Sequence, residues 1–376
     1  TDAALTVRTR LRPGAEPLTV SAFATKAFFQ YRLPGRDTLA VASRRAGGRL
    51  AQDLTAGAHR LRLAAEAWRD WTVGGTTGLP DTLGLGRTRL QLLLRDELRA
   101  GPLALTAEAR LHEGARAGGH LGAALDARPV RLFAEAERAA GAPPAWVEQH
   151  GFGPFLDGLP GAARERTLAG RAGLTLRAGA FDATAFGFAH HIDDAVDLYE
   201  TGEDTAAVRV LPSALRRAGA AADLGWRRDA RRGLYLVAQP TLTTLLDAGA
   251  SDLHARQDAA LPAFFADGRL GARYLLFNGD LDLDVSVRGR FWTAMRSRTL
   301  HPATGLLALP ALGARSVPAS GTLDLVGLGR VRTATLFIAY ENVLSGTTFL
   351  AGNYLVPVYP LPERRLRFGV FWPIPN

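Results

Sequence analysis

The sequence predicts an all-β protein, a transmembrane antiparallel β-barrel of about sixteen strands, with roughly fourteen and eighteen as the limits. Three observations carry that reading. First, Gly279 to Trp292 alternates strictly: Leu281, Leu283, Val285, Val287, Gly289 and Phe291 take one face, and Asp280, Asp282, Asp284, Ser286, Arg288 and Arg290 the other. A period of two is a strand. Charge of both signs at nearly every second position is expected where one face meets lipid and the other a water-filled lumen. Second, hydrophobic residues make up 47% of the chain, yet no apolar run approaches the ~20 residues of a spanning helix, which leaves a barrel as the way to cross a bilayer. Third, short turns alternate with longer loops, the pattern of barrels whose short turns face the periplasm.

Taken in order, Thr1 to Arg12 sets Leu5, Val7 and Leu11 against Thr6, Arg8 and Arg10. Leu18 to Leu33 is a long second strand with Phe28, Phe29 and Tyr31 near its end, closed by the Pro34-Gly35 turn. Asp37 to Arg45 is a third, broken by Gly47-Gly48. From His59, Leu61, Leu63, Ala65 and Ala67 face one way and Arg60, Arg62, Glu66 and Asp70 the other. Thr72 to Gly86, rich in Gly, Thr and Pro, is predicted as a loop. Leu90, Leu92 and Leu94 then alternate with Arg89, Gln91 and Arg95. After Gly101-Pro102, Leu103, Leu105, Ala107 and Ala109 alternate with Thr106, Glu108, Arg110 and His112. Val130, Leu132, Ala134 and Ala136 alternate with Arg131, Phe133, Glu135 and Glu137. Each segment has about the ten residues a tilted strand needs to cross a bilayer.

Ala142 to Gly161, with Pro143-Pro144, Trp146, Phe152 and Phe155, reads as a long loop: a constriction, or an outer loop packed by its own aromatics. Leu168 to Ala178 and Phe181 to Ile192 form the next hairpin, and Ala206 to Leu211, Ala218 to Arg228 and Gly233 to Leu245 three further strands. Ala248 to Gly268 is a second long loop, and Asn278-Gly279 turns Leu270 to Phe277 into the Asp-rich strand. A loop from Ser297 to Ser320 precedes Thr322 to Gly329, Arg332 to Val343 and Arg364 to Trp372. Residues 1–376 read as one barrel domain, and an even strand number is expected.

Composition narrows the function classes. The chain has no cysteine, which excludes disulfides, thiolate metal sites and Cys nucleophiles. The formal charge is +9, and Lys26 is the sole lysine among 45 basic residues. The arginines are scattered through alternating strands rather than gathered on one helix or arm, so no nucleic-acid partner is expected. Thr1 is not an initiator Met, so the chain is expected to begin after a signal peptide or a longer segment. The partners expected are outer-membrane lipid and lipopolysaccharide, with other envelope proteins as a further expectation.

Three segments then carry a family resemblance. Leu261-Pro262-Ala263-Phe264 with the Asp-rich strand after it, Thr335 to Leu344, and Tyr359-Pro360-Leu361-Pro362-Glu363-Arg364 with the aromatic strand to Trp372 resemble the barrel of TonB-dependent outer-membrane receptors. Phe186 to Leu198 is similar to a mid-barrel hairpin of that family. The resemblance covers about 150 residues and implies an outer-membrane transport protein. Neither a plug nor an energy-coupling box is visible before the first strand of the stretch given, so driven uptake is not among its expectations. Glu363 stands where the family's turn has Gly, and Pro373 to Asn376 follow the closing aromatic residue.

The chemistry is expected in the lumen. Candidate lining residues are Arg60, Arg62, Arg89, Arg95, Arg110, Arg131, Arg288, Arg290, Arg365 and Arg367, with Asp280, Asp282 and Asp284. Rings of arginine favour anions; equally, opposite charges on neighbouring strands could cancel and keep the bore wet. His190, His191, Asp193 and Asp194 form the one dense His/Asp cluster, but neighbours on a strand point to opposite faces, so a polar strand end is expected rather than a metal site. Asp280, Asp282 and Asp284 could bind Ca²⁺ but are expected to pair with arginine. Ser286 has no His identifiable beside it, so no catalytic residue, cofactor or enzyme activity is expected. The leading expectation is porin-like passage of small solutes with some anion preference. The other is a structural barrel that anchors or scaffolds an envelope complex.

Overall fold

The structure is a computed structural model that describes residues 2–9, 16–32, 38–76, 85–112, 116–140, 156–157, 165–202, 205–227, 232–300, 307–314, 316–346, 354–356, 359–360 and 363–372. Seventeen strands among them form one sheet. They are β1 (Asp2–Thr9), β2 (Leu18–Arg32), β3 (Thr38–Ala56), β4 (His59–Thr76), β5 (Leu85–Ala100), β6 (Leu103–His112), β7 (Arg116–Ala127), β8 (Val130–Ala140) and β9 (Arg166–Ala178). The series continues with β10 (Phe181–Asp193), β11 (Leu215–Arg227), β12 (Gly233–Leu245), β13 (Phe264–Leu276), β14 (Leu281–Trp292), β15 (Ser320–Val331), β16 (Ala334–Glu341) and β17 (Arg365–Phe371). Every strand pairs antiparallel with the next in sequence, an up-and-down meander. Among the described residues no pairing joins β1 to β17, so the sheet is not closed, and its strand number is odd where an even one was expected.

The leucine stripe faces out. Along β14, Val285 is 51% exposed while its neighbour Ser286 is 3% exposed. Leu63, Leu92, Leu94, Leu121, Leu132, Leu174, Leu236, Leu270, Ile338 and Phe368 are likewise exposed, on strands all round the sheet. Water-soluble proteins rarely expose contiguous apolar patches beyond a few hundred Å². Lipid is the solvent that makes this surface favourable.

Mid-strand glycines have a common reason on the other face. A Cβ on Gly219 would lie 2.4 Å from the Phe188 ring, and one on Gly271 2.4 Å from the Tyr235 ring. Gly47 gives way to Trp68, Gly173 to Phe186 and Gly369 to Phe337 in the same manner. At Gly219, Gly271 and Gly369 the neighbour is an aromatic ring, at Gly47 and Gly173 the backbone and Cβ of the aromatic residue, so glycine here marks close approach of a neighbouring strand rather than a strand end. This corrects the predicted break at Gly47-Gly48: β3 runs through both glycines and turns at Gly57, whose φ is +60°. The same effect restores β7, a strand the alternation missed, since Gly118 and Gly119 admit the carbonyl oxygens of Arg138 and Glu108.

Turns and loops segregate to opposite ends. Gly57-Ala58, Gly101-Pro102, Arg128-Pro129, Gly179-Ala180, Phe277 to Asp280 and Arg332-Thr333 close the hairpins at one end. At the Phe277 turn, Phe277, Asn278 and Gly279 all have positive φ. The longer connections lie at the other end. Val196–Gly202 and Thr205–Val210 pair there as a separate small sheet, with Leu156–Asp157 parallel to the second, so Ala206 to Leu211 is not a wall strand. The predicted loop Ala248 to Gly268 contains a helix, α1 (Asp252–Ala259), and the start of β13. Of the predicted loop Thr72 to Gly86, residues 72–76 end β4 and 85–86 begin β5, and 77–84 lie outside the described residues. Most of Ala142 to Gly161 also lies outside them.

Candidate functional site

The inner wall is the first component. Strand register places Arg60, Arg62, Arg89, Arg95, Arg110, Arg131, Arg288, Arg290, Arg365, Arg367, Asp282 and Asp284 on the face opposite the leucines. Asp280 is the exception: it caps the turn before β14, with φ −68° and ψ −27°, and is exposed at the short-turn end. The three aspartates therefore do not share a face.

Nearly all these charges are matched. Arg89 lies 3.1 Å from Asp70, which also holds Arg45 at 2.6 Å. Arg95 reaches Glu97 at 2.7 Å and Glu108 at 3.8 Å; Arg110 joins Glu108 to Glu137, the latter at 3.0 Å. Arg60 and Arg62 flank Asp53, and Arg131 lies 3.5 Å from Asp126. Asp282 pairs with Arg273, and Asp284 accepts from Arg269 at 3.0 Å and from the Tyr235 hydroxyl at 2.7 Å. Arg290 meets Asp267 at 3.1 Å, and Arg365 and Arg367 share Glu341. Arg288 stands opposite Asp324 and Arg269 in register, with no ion pair among the described residues. The wall is a lattice of opposite charges across neighbouring strands.

The His/Asp cluster divides as strand geometry requires. His190 stands opposite Ala169 on the inner face, whereas His191 stands opposite Leu168 on the outer face, 3.1 Å from Asp193.

The second component, which periodicity could not reveal, is a packed cap at the long-loop end. Tyr199, Ala207, Val208, Leu309, Val317 and His254 are almost fully buried there. Ser251 caps α1, accepting from the His254 amide at 3.3 Å, a Ser-first helix start legible in the sequence. The buried His254 ring donates from Nε2 to the Ala214 carbonyl at 3.2 Å. Arg298 grips Asp197 with two nitrogens, one at 2.6 Å, and Gln257 donates to the same carboxylate at 2.6 Å and to the Tyr199 hydroxyl at 3.3 Å. Arg256 donates to the Glu200 carbonyl at 2.9 Å. Burial pushes the Tyr199 phenol up to about 12, and the Asp197 carboxylate raises the Arg298 guanidinium. Beside it, Arg216 holds Asp247 below the usual carboxylate range. Between cap and wall lies a pocket of about 610 Å³, lined in part by Arg217, Asp258, Met295 and Arg296.

No protein-family profile matches the chain, and no characterised relative does. Solved structures match its fold throughout. The copper transporter OprC superposes with a TM-score of 0.71 at 15% identity, over 98% of this chain and 65% of that one. The FrpB iron transporter from Neisseria meningitidis gives 0.69 at 13% identity, over 98% and 62%. The siderophore receptor PirA from Acinetobacter baumannii gives 0.68 at 12%, over 98% and 61%. This chain thus spans less than two thirds of the length of the structures it matches, and its fold is that of the barrel of TonB-dependent outer-membrane receptors.

Proposed function

We propose that residues 1–376 form one outer-membrane barrel domain that passes small hydrophilic solutes along its charged inner face, with the packed cap framing the outer mouth. The observation that carries this reading is the two-sided wall: leucines exposed outward and an arginine–carboxylate lattice inward on most strands. Such a lattice keeps water in the bore, because its charges are costly to bury dry. The titles of the matched structures, transporters and receptors for copper, iron and siderophores, point toward solute uptake as the general task. Anion preference rests on the surplus of arginine, with Arg288 facing Asp324 across the ladder but in no ion pair among the described residues.

Purified protein in planar bilayers tests this. Steady conductance with a reversal potential on the anion side of a salt gradient is expected, and Arg288→Gln should reduce that preference about twofold. Inserted but silent protein would instead favour an anchoring or scaffolding barrel, a reading supported by the edges at β1 and β17, which pair with no further strand among the described residues.

A further inference from the structure

The inner wall carries a run of aromatic rings that the charge lattice leaves without a role. Phe133 and Phe186 flank Gly173 at one height, and Phe188 and His190 follow Phe186 at two-residue steps along β10 toward the long-loop end. Successive ring centroids lie 6.4, 6.4 and 5.5 Å apart, with the rings tilted against one another. Those are contact separations for aromatic pairs. Gly219, opposite Phe188 in register, leaves the space that the Phe188 ring takes. The three phenylalanines are partly exposed and His190 is exposed, so the run is a stepped apolar track on a wet face.

Beside the upper rings lies a hollow of about 520 Å³, within the size range of small-molecule sites. Its polar rim consists of matched charges. Arg171 lies 2.7 Å from Glu135, and Arg110 holds Glu137 at 3.0 Å, so the two pairs cancel. The Arg171 guanidinium also stands over the Phe133 and Phe186 rings, at 6.0 and 5.8 Å from their centroids. A cationic solute would meet Arg171 where the ring faces would otherwise attract it, and an anion would meet Glu135 and Glu137. A neutral ring bearing hydroxyls meets neither penalty. Its C–H faces rest on phenylalanine, while each hydroxyl donates to a carboxylate or accepts from a guanidinium.

We propose that Phe186 and Phe188, with Glu135, Glu137 and Arg171 beside them, form a binding site for a neutral saccharide on the inner wall. The inference rests on the reading that solutes pass along the charged inner face, and it adds the solute class and the residues. The stepped run from Phe133 to His190 lets successive units of one sugar chain touch several rings at once.

The test titrates the full chain in detergent micelles with a neutral linear glucose hexasaccharide and, separately, with the open-chain polyol sorbitol, and follows binding by calorimetry. The hexasaccharide should bind at least about tenfold more tightly than sorbitol. Phe186→Leu/Phe188→Leu, which keeps apolar side chains but removes the ring faces, should weaken the hexasaccharide about tenfold. Phe188→Tyr should retain the binding, and Phe337→Leu, the same change on the inner face of β16, should leave it intact. The hexasaccharide should also interrupt the ion current of the native chain in planar bilayers. Equal binding of the two polyols by the native chain overturns the site, with or without the variants, and so does a double leucine variant that binds the sugar undiminished. Conductance that persists in either case leaves the passage reading standing. Tight hexasaccharide binding in micelles by a protein that stays silent in bilayers does the reverse: it upholds the site and overturns passage.

Discussion

At the scale of single residues, the cap is held by one carboxylate. Asp197 answers Arg298 and Gln257 together, and Gln257 also reaches Tyr199. Asp197→Asn should cost the cap about 1–3 kcal/mol, less than a fully buried pair because the Arg298 side chain stays 35% exposed. Faster hydrogen exchange across 196–210 with unchanged exchange in β3 to β8 is the expected readout. Tyr199 adds a pH signature. Its folded value of about 12 exceeds the ordinary 10, so between those values the native state holds a proton that the unfolded state has lost. The stabilisation is therefore whole below pH 10 and disappears as pH rises through 12. Phenolate absorbance should show one tyrosine fewer at high pH in Tyr199→Phe, with the missing step centred near 12; a missing step near 10 would place that phenol in water.

At the scale of the strand, ring-over-glycine pairing ties neighbours together. Gly219→Ala would set its Cβ 2.3 Å from the Leu242 carbonyl oxygen and against the Phe188 ring, a clash with backbone that cannot relax by a side-chain swing. A loss of about 1–3 kcal/mol is expected in urea unfolding from detergent. Gly187→Ala, whose Cβ meets nothing nearer than 3.8 Å, is the matched control and should stay within about 0.5 kcal/mol. Such pairs also mark what was legible beforehand. The stripes of Leu61 to Ala67 and Leu281 to Phe291 announced wall strands and their faces, because period two depends only on the local chain. Gly47-Gly48 and Gly118-Gly119 misled, because their partners Trp68 and the carbonyls of Arg138 and Glu108 lie on other strands. The cap was hidden for a related reason: Asp197 and Arg298 are separated by 101 residues, and no local pattern announces such a pair. The inward arginines and carboxylates were found by face, whereas which carboxylate meets which arginine emerged only from register.

At the scale of the whole molecule, the decisive quantity is which solvent meets the leucines. An odd meander leaves β1 and β17 running in the same direction, so closing this sheet onto itself would need a parallel seam, while every other pairing in it is antiparallel. Edge hydrogen bonds in lipid are costly, but a water-exposed sheet would tolerate them. The two settings predict opposite responses at Leu94, which is 47% exposed and lies seven residues from Gly101 of the turn, near the middle of a crossing strand. Water would welcome a charge there, and Leu94→Arg would change stability by less than about 0.5 kcal/mol. A bilayer would not, and the same substitution should cost about 2–4 kcal/mol in phospholipid vesicles. Its neighbour Arg95 sits on the opposite face beside Glu97 and Glu108, so Arg95→Leu should weaken the wall by removing the cation from Glu97 and leaving Glu108, whose side chain is 5% exposed, to Arg110. Urea titration of both variants in vesicles separates the cases. A large penalty at Leu94 assigns the outward face to lipid, and a negligible one returns it to water and removes the basis for transport through the bore.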